Sequence, residues 1–482
     1  MSKVKNGLFW SSIDRFSSQG VGFILSILIA RIVSPSSYGL IVMIQVFLSL
    51  SQVFIDGGFA NALIQKKDRN EKDYSTAFIF NLIVAILLYF ILFLSAPFIA
   101  DFYNKPQLVL LTRVISLNLI IQSVSIIQRA KLQAELEFKP QAKVSLLSVT
   151  ISGCVGVACA YYGLEVWALV IQSISMQFFT SLSYFYFVRW IPKMTFSKES
   201  FKKLFGFGSK LMLSNLLTGI YLNIYVLVIG KKYSSSNLAY YDRAFAMSQI
   251  TSVNIENVLY KVFYPALCDI QDNKDMLVKN YYRYLSYTNY IILPFIAIII
   301  ALANPLVTSL LTDKWHDSIP MMRIFCINFA IYAWLEQSGS LINVIGKPGL
   351  NLKAQIVKRI LSIVILVITL PFGLTAICWG ITLSTLLELF INLYLDKITL
   401  DIGCYEHVCS QAKVFLLNIV TCGITYTISQ FFDNLYIQLL VGGGAGLLFY
   451  VLLSFLFHFE ERTIWINIYN YFFEKIKNIR LF

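Results

Sequence analysis

Residues 74–100 read YSTAFIFNLIVAILLYFILFLSAPFIA, twenty-seven residues without a charged side chain. A membrane-spanning α-helix needs about 20 mostly apolar residues, so this stretch is long enough to cross a bilayer. Working outward from it, thirteen more such stretches lie near 7–32, 38–63, 107–129, 142–162, 164–188, 204–230, 238–264, 281–304, 318–344, 354–372, 374–395, 412–432 and 435–458. Only short polar connections separate them, none large enough to fold as a domain of its own. Hydrophobic residues make up 57% of the 482 and charged residues 13%, far from the roughly 45–50% apolar and about 25% charged content of soluble domains. The expected fold class is an all-α polytopic membrane protein with about 14 transmembrane helices.

The net charge of +13 suggests nucleic acid until it is sorted by side of the membrane. With the amino terminus inside, 27 Lys and Arg residues fall on the inner side, Lys358 and Arg359 among them. Five fall outside: Arg31, Lys105, Lys231, Lys232 and Lys314. The excess of inner positive charge places both termini in the cytoplasm. The basic balance therefore records topology, and no basic patch is large enough to hold a duplex.

Eight cysteines are scattered without a CxxC pair, so neither a disulfide framework nor a zinc site is indicated. Cys404, His407 and Cys409 share what reads as one cytoplasmic loop, but a metal would need a fourth ligand. No metal and no cofactor is expected. The first apolar segment is interrupted by Asp14 and Arg15 and lacks a small-residue cleavage site, so it reads as a retained helix.

Two parts of the chain resemble each other, as in transporters built from repeats. Ile29-Ala30-Arg31 with Ser34 and Tyr38 recurs as Ile229-Gly230-Lys231 with Ser234 and Tyr240, and Arg113-Val114-Ile115 with Asn118 recurs as Arg323-Ile324-Phe325 with Asn328. Pro97 and Pro305 precede the second pair at similar offsets. The expected organisation is a six-helix lobe over 1–190 and a second six-helix lobe over 191–400. Two further helices and a cytoplasmic amphipathic tail follow over 401–482. An even number of helices per repeat starts both lobes on the same side, with a cleft between them. The tail from Glu460, with Trp465, Tyr469, Phe472 and Phe473 among Lys475, Lys477 and Arg480, suits an interfacial helix or an extension of the last span.

Ionisable groups inside spans are costly, at roughly 3 kcal/mol each if they face lipid at mid-depth. Seven bases (Arg15, Arg113, Lys210, Arg243, Lys261, Arg283 and Arg323) and six acids (Asp14, Asp56, Asp242, Glu256, Glu336 and Glu388) lie in such positions. Most must face protein or water. By helical rise, Arg15 and Lys210 sit about 10 Å from the inner edge and Arg113, Arg243 and Arg323 about 8 Å from the outer edge. These two cationic tiers suit a polyanionic head group, because a guanidinium fork meets phosphate oxygens in pairs. The substrate-binding candidates are therefore Arg15, Arg113, Lys210, Arg243 and Arg323, with Asn223 for sugar hydroxyls. The competing reading is structural charge pairing. Asp56, Glu256 and Glu336, in the inner halves of their spans, are candidates for a coupling proton or sodium ion.

Ala30-Arg31-Ile32-Val33-Ser34-Pro35-Ser36-Ser37-Tyr38-Gly39-Leu40, followed by Asp56-Gly57-Gly58-Phe59 with Ala62-Leu63-Ile64-Gln65, resembles the start of Wzx-type polysaccharide flippases. Leu132 to Lys139, Tyr162-Gly163 with Val166-Trp167-Ala168-Leu169-Val170, Phe205-Gly206-Phe207-Gly208, Lys314-Trp315 and Ile345-Gly346-Lys347-Pro348 continue it. The resemblance covers about residues 7–400. It implies the colanic-acid-exporter-like branch of the multidrug/oligosaccharidyl-lipid/polysaccharide exporter superfamily. It further implies a bacterial inner-membrane transporter, not an enzyme, that moves oligosaccharide linked to undecaprenyl pyrophosphate for a capsule, exopolysaccharide or O-antigen. Membrane lipids and polysaccharide polymerase and assembly proteins are the implied partners. Members often carry an acid two residues after the seventh-helix asparagine, whereas Asn223 is followed at that spacing by Tyr225. A cation-coupled multidrug exporter of the same architecture and a membrane-embedded polymerase or ligase are the alternatives. The short outer connections weigh against the enzyme.

Overall fold

The computed structural model describes residues 2–66, 68–193 and 195–466, and the side chain of Arg15 is outside what it describes. Among the described residues the regular structure is entirely helical. The helices fall into two compact units, Met1–Ala239 and Tyr240–Phe482. This division lies one helix after the lobe boundary expected at 190. The cause is the packing of the helix Lys198–Lys232 against earlier helices of the first unit.

The first unit contains α1 (Ser2–Ile32), α2 (Pro35–Asp56), α3 (Phe59–Gln65), α4 (Glu71–Tyr103), α5 (Leu108–Ile115), α6 (Leu117–Ala134), α7 (Phe138–Tyr161), α8 (Val166–Val188) and α9 (Lys198–Lys232). Here α7 packs on α1 and α8, α6 on α4 and α8, and α2 on α4 and α9. Short polar residues set the helix starts by accepting backbone N–H groups left over in the first turn. Ser34 accepts from Ser37 N before α2, and Ser197 accepts from Ser200 N before α9. Asn70 and Asp73 form a reciprocal capping box at α4. The Lys66 ammonium then pairs with the fully buried Asp73 carboxylate at 2.6 Å. The end of α2 is set by Gly57 and Gly58, whose φ values of 48° and 69° are left-handed and suit glycine.

The second unit continues with α10 (Ser235–Cys268, begun in the first unit), α11 (Lys274–Ala301), α12 (Ala303–Leu311), α13 (Ser318–Val344), α14 (Pro348–Thr369), α15 (Leu374–Leu400), α16 (Cys404–Ser429) and a last span over Leu435–Leu456. In it α11 packs on α13 and α16, and α15 packs on α13 and α14. The core gathers Tyr281, Tyr284, Trp334, Leu341, Leu389 and Leu393 from three of these helices.

All fourteen expected stretches are helical, and twelve coincide with helices long and apolar enough to cross a membrane. The other two are α1, whose apolar part is Phe16–Ile32, and α10, which carries Asp242, Arg243, Glu256 and Lys261. Two sequence assignments are corrected. Cys404, His407 and Cys409 are not on a loop, because α16 begins at Cys404 and the connection shrinks to residues 401–403. His407 is fully buried while Cys409 is exposed, since positions two apart on a helix point to different faces. Lys358 is likewise no inner-side surface charge: it stands ten residues into α14 and is 1% exposed. The expected amphipathic tail falls mostly on residues 467–482, outside the described residues. Its first part docks, with Trp465 Nε1 donating to the Tyr290 hydroxyl at 2.9 Å.

Candidate functional site

Two helices of the first unit present polar stripes that a lipid-facing surface would not tolerate. On α2, Gln45, Ser49, Gln52 and Asp56 recur at intervals of three or four residues and therefore share a face. Gln45 and Asp56 are exposed and the two between are half-exposed. Gln52 Nε2 donates to Asp56 Oδ1 at 3.3 Å. On α9 the corresponding run is Lys210, Ser214, Thr218, Tyr221 and Tyr225, the first three exposed. A charged group at mid-depth in hydrocarbon costs roughly 3 kcal/mol, so stripes of this length mark a surface meant for water or a polar cargo.

Glycine contacts bracket these stripes at both ends. At one end Gly58 and Gly208 approach so closely that a Cβ on Gly208 would lie 2.7 Å from Gly57 O, and one on Gly58 would lie 2.6 Å from Gly208 Cα. Phenylalanines surround this point: Phe59 stacks on Phe80 at 4.4 Å, and Phe201 stacks on Phe205 at 5.3 Å. At the other end a Cβ on Gly39 would lie 2.9 Å from Ser235 Cα. There Glu165 Oε2 accepts from the Ser34 and Ser37 hydroxyls, each at 3.0 Å. Nearby, Lys231 donates to Phe102 O and lies over the Phe102 ring at 4.8 Å. Between the two ends, Gly219 on α9 faces Leu50 and Val53 of α2. The resemblance motifs Ser36-Ser37-Tyr38-Gly39, Asp56-Gly57-Gly58 and Phe205-Gly206-Phe207-Gly208 thus coincide with these close glycine contacts. Their glycines were visible in the sequence, but which glycine meets which was not.

The candidate cations sit in different settings. Lys210 is exposed on the α9 stripe. Arg113 is turned onto its own unit: Pro97 has no N–H for Phe93 O, and Arg113 Nε donates to that carbonyl at 3.3 Å. The guanidinium also lies over the Phe93 ring at 4.4 Å. In the second unit, Arg243 lies over the fully buried ring of Trp315 at 5.4 Å, and Arg323 is half-buried in the first turns of α13. Asn223 turns back, its Nδ2 donating to Gly219 O at 2.8 Å. Among the acids, Asp56 belongs to the α2 stripe. Glu256 is 8% exposed and Glu336 is exposed, and their carboxylates are electrostatic neighbours.

Of a second polar group, the sequence singles out only Glu388. Glu388, Asn392 and Asp396 are four residues apart on α15 and line one buried face. Lys358 Nζ donates to Asn392 Oδ1, Asn392 Nδ2 donates to Leu335 O at 3.0 Å, and Ser362 Oγ donates to Glu388 Oε1 at 2.7 Å. Below them, His407 Nε2 stands 3.6 Å from Asp396 Oδ2, both side chains fully buried. The four-residue spacing was the available signal, but Asp396 and His407 lay beyond the apolar windows that defined the spans. Among the described residues no group of His, Cys, Asp and Glu is arranged to hold a metal ion.

Comparison with known proteins bears on this arrangement. Over 437 residues the chain is 26% identical to the lipopolysaccharide biosynthesis protein WzxC of Escherichia coli K12, covering 88% of this chain and 87% of that protein. It is 22% identical over 459 residues to the teichuronic acid biosynthesis protein TuaB of Bacillus subtilis 168, covering 94% and 95%. Among solved structures it resembles the lipid II flippase MurJ in an inward closed conformation, with a TM-score of 0.73, 16% identity and coverage of 94% and 99%. At that identity the likeness speaks for the fold. The family model described as polysaccharide biosynthesis protein matches residues 28–320. That is more than half of the chain, and it carries the brackets and stripes described above: the protein belongs to the polysaccharide biosynthesis protein family.

Proposed function

We propose that this protein flips an undecaprenyl-pyrophosphate-linked oligosaccharide, the repeat unit of a surface polysaccharide, across the bacterial inner membrane by alternating access. The observation that carries this reading is the pair of polar stripes on α2 and α9, held between two glycine contacts. The lobes would be residues 1–190 and 191–400, with the added pair and tail over 401–482 and both termini cytoplasmic. On that division α2 belongs to one lobe and α9 and α10 to the other, and the glycine contacts Gly58–Gly208 and Gly39–Ser235 are the seals that open in turn. The sugar-pyrophosphate head travels along the stripes while the lipid tail stays in the bilayer. Without such a path an anionic head group would face a cost of several kcal/mol per charge.

Lys210 leads the candidates for phosphate contact because it is exposed on a stripe, followed by Arg243, Arg323 and Arg15. Arg113 would act chiefly by keeping α4 in shape, and Asn223 by bracing α9. Asp56, Glu256 and Glu336 are proposed to carry a coupling ion. Polymerase and assembly proteins would take the product on the outer side. An inside-negative potential of about 100 mV favours outward travel of each negative charge by about 2.3 kcal/mol. The test replaces Arg15, Lys210 and Arg243 singly by glutamine and scores surface polysaccharide at equal protein abundance. A drop of about tenfold, or roughly 1.4 kcal/mol in transition-state terms, is expected for Lys210→Gln. Unchanged export in all three variants contradicts the assignment.

A further inference from the structure

The buried face of α15 is short of one positive charge. Lys358 carries one positive charge, Glu388 and Asp396 carry one negative charge each when ionised, and neutral His407 carries none. These four groups are 1%, 8%, 0% and 0% exposed. An uncompensated charge in such a place is expensive, and a single added proton removes it. Asp396 and His407 are the groups ready to take it. Neither carboxylate oxygen of Asp396 and neither ring nitrogen of His407 makes a hydrogen bond, whereas Lys358 and Glu388 are already engaged. The 3.6 Å between Nε2 and Oδ2 is just beyond hydrogen-bond length, so a small approach of α15 to α16 lets one proton bridge them.

We infer that Asp396 and His407 form a proton-binding pair that loads one exchangeable proton. The proton adds to an Asp396 carboxylate oxygen or to His407 Nε2, and no other bond forms or breaks. Asp396 stands four residues from the end of α15 and His407 in the first turn of α16, about 6 Å from the connecting turn. The pair therefore exchanges with the side of the membrane that carries residues 401–403. Under the topology proposed above that side is the cytoplasm, and only there does this inference rest on the transport reading. Each helix packed on the pair contributes to its surroundings. From α11 come Tyr281 and Tyr282, with ring centroids 5.8 and 5.3 Å from the imidazole, the Tyr281 hydroxyl being held by Ser338 of α13 at 3.0 Å. From α14 comes Lys358, whose own charged neighbours include Arg359 and the exposed Glu336 of α13, and on α16 itself the exposed Glu406 lies near Tyr282. A carboxylate beside an imidazole suits a proton. A hard cation such as calcium takes about six to eight oxygens, and the oxygen of Asn392 already serves Lys358.

The chain has three histidines, which makes the pair directly observable. His316 and His458 are exposed, so an H316Q/H458Q protein with nitrogen-15 in its imidazole ring reports on His407 alone. Solid-state nuclear magnetic resonance of this protein in lipid should show the His407 ring nitrogens changing in a single proton titration as pH is varied across the range in which the protein stays folded. The shift should be insensitive to sodium and should be lost in D396N. A spectrum that does not change over that range, a change that follows sodium instead of pH, or a titration left intact by D396N overturns the inference. The readout uses no sugar lipid, so its failure leaves the flippase reading standing, and a failure of that reading leaves the titration intact.

Discussion

Arg113 and Pro97 are coupled through one carbonyl. Proline inside α4 frees Phe93 O, and Arg113 Nε fills it. Replacing Arg113 by glutamine should therefore destabilise the protein by about 1–3 kcal/mol, the usual cost of leaving such a group unsatisfied. In a P97A background the restored N–H can reach Phe93 O, so the same substitution should cost much less. Denaturation of the four proteins in detergent measures the coupling, and additive effects would show that the carbonyl does not link them. Arg113 was legible in the sequence as an embedded cation, but the sequence does not disclose that its partner is a backbone oxygen twenty residues away. Lys210 was readable as an embedded cation, and its exposure follows from its place on the α9 stripe.

At the scale of the helix, α2 meets α9 and the start of α10 at glycines near its two ends. A valine at 208 would push against Gly57 O and Gly58, and such overpacking costs about 1–3 kcal/mol. G208V should hold that end of the helix pair apart. In an S214C protein whose eight native cysteines are replaced, the thiol should then react several-fold faster with a reagent supplied from the side of Gly208 when G208V is added. Equal rates with and without G208V would show that the contact seals nothing. Helix existence was legible because apolar runs of spanning length leave few other folds. Helix extent was not, since α15 runs on to Leu400 and α16 begins at Cys404, both beyond the apolar windows 374–395 and 412–432. That extension carries Asp396 and His407 into buried positions.

For the whole molecule, the internal repetition read from Ser34 and Ser234 has a structural counterpart. Ser37 N donates to Ser34 Oγ at 3.4 Å, and Asn237 N donates to Ser234 Oγ at 3.2 Å, so two helices two hundred residues apart start with the same cap. The proposed sidedness predicts that an impermeant thiol reagent applied to intact cells labels a cysteine at Asn104 and spares one at Asp272. The reverse pattern would invert the assigned direction of transport. The most direct test of the account as a whole uses purified protein in liposomes loaded on one leaflet with a fluorescent undecaprenyl-pyrophosphate oligosaccharide. The account predicts protein-dependent movement of that lipid to the other leaflet, slowed about tenfold by Lys210→Gln, with an uncharged phospholipid left in place. Absence of movement, or equal movement of both lipids, would contradict it.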